Sequence, residues 1–220
     1  NIVCAIIKKL CNVIVEKFNR VDIYPLYSGE IMEITRACLK EYSKALSASQ
    51  LMRIGSAERF TNPYILKIFL QELLQFGEHE KLDDFIENYY SSRTNKVFFY
   101  KILKRIDNDF GRERMQRMFK YIYMCANGLP VESLIREFGL NHIEWVAINT
   151  AISPFVSEHM GYILMKEGIV KDAVQEHYVI DEKEYDTPIV KVLCSVLKNE
   201  NRKLLKTVVT RTRKESLLLY

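Results

Sequence analysis

The residues that most restrict the fold of this chain follow the break Asn127-Gly128-Leu129-Pro130. "VESLIREFG" (131–139) reads as a short helix ended by Gly139, and "NHIEWVAINTAI" (141–152) as a second, with Asn141 and Glu144 spaced as a capping box. "FVSE" and "YILM" then alternate as short strands joined across His159-Met160-Gly161, which predicts a hairpin. A last helix runs from about Ile169 to Tyr178. With the helix marked by Met115, Met118, Phe119, Ile122 and Tyr123 ahead of them, these elements come in the order of a winged-helix unit.

Upstream, the punctuation is helical. Asn62 is a favoured N-cap, Pro63 fits the first helical position, where its missing N–H costs nothing, and Gly77 suits a left-handed C-terminal cap. A helix is predicted over 63–76, with Leu66, Phe69, Leu70 and Leu73 on one face. Ile31, Ile34, Cys38 and Tyr42 mark an earlier helix after Ser28, and Ser47 with Gln50 opens another. Leu82, Phe85, Ile86 and Tyr89 mark a further one. The segment 95–110, between Thr94 and Gly111, carries so many apolar residues that it must pack on two sides. At the edges, 2–18 permits a helix and "VDIYPL" (21–26) a short strand halted by Pro25. Beyond the polar linker "DEKEYD", Ile189, Val192, Leu193, Val196 and Leu197 make one more helix after Pro188.

An apolar share of 48% can fill real cores. The first residue is Asn rather than Met, as expected of a processed chain or a piece of something longer. The apolar start is interrupted by Lys8 and Lys9, and no run approaches the roughly 18 apolar residues of a spanning helix, so the expectation is a soluble, cytoplasmic protein. Five scattered cysteines without ligand spacing read as reduced thiols. The formal charge is +4, but seven Lys/Arg against Glu200 and Glu215 from Lys198 onward account for it; the rest of the chain stands near −1.

A winged helix suggests DNA, whose recognition rests on Lys and Arg. The helix at 141–152 contains neither, and residues 112–180 hold seven Lys/Arg against eight Asp/Glu. An internal packing role is therefore expected, with Trp145, Ile148 and Ile152 in the core. Histidines 79, 142, 159 and 177 are dispersed, and neither HExxH, a nucleophile elbow nor GxxxxGK[ST] occurs. The chain is not expected to be catalytic on its own.

In sequence order, "YPLYSGEIMEITRACLKEYSKALSASQLMRI", "NPYILKIFLQELLQFGEHEKLDDFIENYY", "GLPVESLIREFGLNHIEWVAINTAISPFVSEHMGYILM" and "IVKDAVQEHY" resemble the region after the nucleotide-binding core in NACHT-type STAND P-loop NTPases of the nephrocystin-3-like and telomerase-associated-protein-like kind. The resemblance covers roughly residues 21–180. It implies a mainly α chain: 1–27 ending an upstream α/β core, 28–111 a helical lid domain, 112–180 a winged-helix domain with one small β-hairpin, and 181–220 a linker and the start of a helical, possibly repeat, region.

It further implies a regulatory, non-catalytic portion of a nucleotide-switch ATPase that acts as a signalling scaffold. ATP or ADP with magnesium would be bound mainly by the upstream core. Partners would be that core, further copies on oligomerisation, and proteins met through downstream helical or WD-type repeats; DNA is not expected. Pro63 would lie against adenine with Asn62 shaping the approach, although Asn-Pro is also a good helix start for local reasons alone. Lys166 falls where the family places a histidine that reaches ADP phosphate; a lysine there could meet phosphate as a point charge, or simply be a solvated cation. The rival readings are a winged-helix DNA-binding protein and a helical adaptor that never sees nucleotide.

Overall fold

The computed structural model of the protein describes residues 24–125 and 128–180. They are mainly helical with one small antiparallel sheet, and they divide after Ile86 into two compact units. The segments expected at 2–18 and 189–197, the linker at 181–186, and residues 21–23 of the expected strand lie outside the described residues.

The first unit contains α1 (Ser28–Glu41), α2 (Ala48–Gly55), a 3-10 turn (Glu58–Thr61), α3 (Pro63–Gln75), a second 3-10 turn (His79–Lys81) and the beginning of α4 (Leu82–Tyr90). The capping box of α2 forms as the sequence predicts: Gln50 N donates to Ser47 Oγ at 3.2 Å and Ser47 N to Gln50 Oε1 at 3.0 Å. Phe60 and Phe69, both fully buried with ring centroids 4.5 Å apart, anchor the core beside Ile31, Ile54 and Leu66.

Three local features differ from what the sequence predicts. The described part of the predicted strand, Tyr24 to Leu26, is irregular. Pro25 has no N–H to give a ladder, and Leu26 N donates instead to Thr61 O in the 3-10 turn, at 2.8 Å. The buried face of α1 is Ile31, Thr35 and Leu39, while Ile34 and Tyr42 are 40% and 60% exposed. Thr35 is tolerated inside because its hydroxyl donates to Ile31 O of the preceding turn at 2.7 Å. Finally, α3 ends without a left-handed Gly77: Phe76 is extended (φ −70°, ψ 121°), and Gly77 is not among the glycines at positive φ. Lys44 does the capping from a distance, its Nζ donating to Leu74 O at 2.7 Å and Phe76 O at 3.4 Å, which leaves Phe76 to stack on Phe85 at 4.4 Å.

The second unit holds α5 (Asn95–Phe110), α6 (Arg112–Met124), β1 (Leu129–Pro130), α7 (Val131–Glu137), α8 (His142–Ile152), β2 (Val156–His159), β3 (Tyr162–Met165) and α9 (Ile169–Tyr178). The expected hairpin pairs Val156 with Met165 through His159 with Tyr162. The break at 128–130 adds a third strand, Leu129 and Pro130 pairing with Ile163 and Tyr162, so the sheet order is β1-β3-β2. Gly128 permits this. Its φ is +92°, and a Cβ there would lie 3.1 Å from both the Leu164 side chain and Tyr162 Cβ.

Within the second unit α5 packs with the winged elements. Phe98, Phe99, Ile102, Leu103 and Ile106 are all fully buried, and Phe99 meets Phe155 edge-on at 5.8 Å. An apolar helix surrounded in this way joins whichever partners cover its two sides, here α6 and α9. Asp107 fixes α9 in place. Its buried carboxylate accepts from Tyr178 Oη at 2.7 Å and Arg112 Nη1 at 3.1 Å, with His177 Nε2 at 2.8 Å. Arg112 Nη2 and Gln116 Nε2 then donate to the His177 and Tyr178 carbonyls, at 3.1 and 3.0 Å.

Candidate functional site

Asn62 and Pro63 lie in the first unit and Lys166 in the second, so each neighbourhood stands by itself. Asn62 caps α3 as its residue type predicts: its Oδ1 accepts from Tyr64 N at 2.9 Å and Ile65 N at 3.4 Å. Pro63 occupies the first helical position. Both residues are exposed, and Tyr64 beside them is 38% exposed, its phenol pKa raised by partial burial. An apolar pyrrolidine ring and an adjacent aromatic are thus held at the surface at the capped start of α3.

The approach to this step is also fixed. Asn62 N donates to Arg59 O at 3.2 Å, and Leu26 N to Thr61 O at 2.8 Å. Arg59, in the same 3-10 turn, has its Nη1 sealed from solvent with no hydrogen-bond partner. The cavity of about 280 Å³ in this unit lies at the opposite end of α3, lined by Leu39, Leu46, Leu73, Phe76 and Leu82. Its lining is apolar apart from Lys44, whose ammonium caps α3, so the chemistry of a nucleotide site is not there.

Lys166 is half-buried at the end of β3. Its Nζ donates to Ser153 O at 2.7 Å and Pro154 O at 3.4 Å, and its backbone N to Phe155 O at 2.9 Å. A cation here neutralises the carbonyl-rich end of α8. Lys166→Met should therefore lower the stability of the second unit by about 1 kcal/mol in a urea titration followed through Trp145; no change would show that the cap is dispensable.

The face that α8 turns to solvent is uncharged. Ile143 is 80% and Val146 49% exposed, His142, Ala147 and Thr150 complete the surface, and Glu144 faces Arg114 at 3.8 Å. Trp145, Ile148 and Ile152 are buried, as their spacing predicts. Sequence reasoning left His177 dispersed and did not find its pairing with Asp107, because no local pattern links residues 70 positions apart. The cluster is packed shut, with Tyr178 1% exposed and stacked on Phe119 at 5.3 Å. Among the described residues no group of three or more His, Cys, Asp or Glu gathers as metal ligands, and no helix is long and apolar enough to cross a membrane. Cys38 and Cys125 are free thiols; burial pushes Cys125 up to about 12, which disfavours its reactive thiolate.

No family model matches the chain. No solved structure matches it either. A TPR repeat-containing protein of Dictyostelium discoideum is 24% identical over 168 residues, which is 74% of this chain but 10% of that relative. The chain therefore spans about a tenth of the length of the curated relative it matches.

Proposed function

We propose that this chain is the regulatory lid and winged-helix portion of a NACHT-type STAND nucleotide switch that works as a signalling scaffold. The observation that carries the reading is the Asn62-Pro63 step: a capped helix start holding a proline face in solvent, with Tyr64 beside it. When bound, an adenine nucleotide with magnesium supplies charge and a rigid planar base, and the upstream core holds most of it. Pro63 and Tyr64 offer that base an apolar surface, and Asn62 keeps them in place. Lys166 is a second candidate contact, its ammonium now engaged at the end of α8.

The winged helix serves packing and partner recognition on this reading. With Ile143 and Val146 outward and no Lys or Arg on α8, it lacks the cations that neutralise phosphates. The size of the Dictyostelium relative and the repeats in its name support a module within a longer, repeat-bearing protein. Stacked helical repeats present extended surfaces to protein partners, which suits a scaffold.

The test is adenine nucleotide binding by the protein extended upstream of Asn1, with and without Pro63→Ala. Asn62 still caps α3 in that variant, so the fold should persist while ADP affinity falls about tenfold. Unchanged affinity would remove Pro63 from the site. A parent protein that binds no adenine nucleotide would leave a helical adaptor.

A further inference from the structure

We propose that the exposed apolar face of α8 is covered, within the same chain, by the basic amphipathic segment 189–206. The inference goes beyond the nucleotide reading and does not depend on it.

Ile143 and Val146 stand one turn apart on α8 and open to solvent, with Ala147 and Thr150 exposed beside them. The wing continues this surface. Asn149 Nδ2 donates to Glu158 Oε2 at 3.2 Å, and Met160 is exposed at the turn two residues on. Neither α8 nor the hairpin contains a Lys or Arg; Glu144 and Glu158 are their formal charges.

The chain leaves this unit close to that face. Arg112 Nη2 and Gln116 Nε2, early in α6, donate to the His177 and Tyr178 carbonyls at the end of α9, at 3.1 and 3.0 Å. Arg114, two positions after Arg112, faces Glu144 in the first turn of α8 at 3.8 Å. The end of α9 and the start of α8 therefore meet the same end of α6. From there the eight residues 181–188 reach at most about 29 Å, enough to bring Ile189 alongside Ile143.

The segment carries the complementary pattern. Ile189, Val192, Leu193, Val196 and Leu197 recur at helical spacing, and Lys191, Lys198, Arg202, Lys203 and Lys206 stand against Glu200 alone between 189 and 206. An apolar stripe bordered by cations suits a face whose apolar pair is bordered by carboxylates. A second copy of α8 would instead set one acidic face against another. A protein partner for α8 would gain access by displacing the segment.

The experiment uses the full chain carrying Ile143→Cys, with and without Val192→Ser and Val196→Ser, and reads by mass spectrometry how fast a maleimide labels position 143. Because position 143 is exposed, the substitution spares the core, and Trp145 fluorescence checks that the unit stays folded. The introduced thiol should label at least about tenfold more slowly when 192 and 196 are native, and this protection should fall between about 50 and 500 mM salt. If the serines disturb Trp145, Arg202→Glu with Lys203→Glu takes their place, with the same loss of protection expected.

Equally fast labelling with either segment overturns the proposal, because the face is then bare. Equally slow labelling also overturns it, since something other than 189–206 then covers α8. Protection that disappears on dilution assigns the cover to a second copy and overturns it as well.

Discussion

Asp107→Ala is expected to destabilise the second unit by about 3 kcal/mol, the upper end for leaving a buried polar group, here the Tyr178 hydroxyl, without its partner. The carboxylate is 6% exposed and holds residues from two other helices, with Tyr178 Oη at 2.7 Å, His177 Nε2 at 2.8 Å and Arg112 Nη1 at 3.1 Å. Alanine would strand the Tyr178 hydroxyl at a site where burial alone still raises its pKa, so it cannot ionise to adapt. Arg112 and His177 would lose the group that orients them, and α9 one of its ties to α5, that of Glu176 to Tyr100 remaining. Asp107→Asn keeps an acceptor for Tyr178 but not the charge, and should cost less. Trp145, the single tryptophan of the chain, is 6% exposed in this unit and reports its unfolding in urea. A loss below about 1 kcal/mol in Asp107→Ala would mean that water replaces the carboxylate and that the network contributes little to α9 docking.

Phe155→Ala should have an effect of similar size, about 3–5 kcal/mol, by a different route. Phe155 is fully buried where α8 gives way to the hairpin, edge-on to Phe99 at 5.8 Å and to Phe119 at 5.6 Å. Its removal leaves a cavity bordered by side chains of two helices that are themselves fully buried and cannot collapse far. Phe155→Leu retains most of the volume and should cost only about 1.5 kcal/mol or less, mainly from the lost ring contacts. The pair of variants separates volume from aromatic geometry in the same denaturation assay. Equal losses would show that ring contacts outweigh the void.

Much of the fold was legible because its determinants are local. Asn62, Ser47, Thr94 and Asn141 each cap a helix as their residue types predict, and the wing follows from alternation on either side of a Met-Gly turn. What escaped sequence reading depends on distant partners. Gly77 looked like a helix stop, but Lys44 meets the α3 carbonyls from 30 positions away. Leu129-Pro130 is too short to show a strand period and pairs only because β3 passes beside it. The α1 stripe was misplaced because Thr35 buries its hydroxyl within its own helix, a device that apolar counting does not see. At the candidate site, Asn62 and Pro63 were found from helix punctuation. Tyr64 was not, since its exposure beside them exists only once α3 is built.

The ammonium of Lys166 already closes the end of α8 through Ser153 and Pro154. An external anion that drew this ammonium away from the two carbonyl oxygens would uncap the helix as it bound, and occupation and uncapping would become a single exchange. If the cap contributes about 1 kcal/mol, the anion's apparent affinity is reduced about fivefold from its intrinsic value. The same exchange would transmit the event, because freeing those carbonyls loosens the junction between α8 and the hairpin. Lys166 would then behave as a toggle, reporting anion occupancy as a change in how firmly the wing is moored.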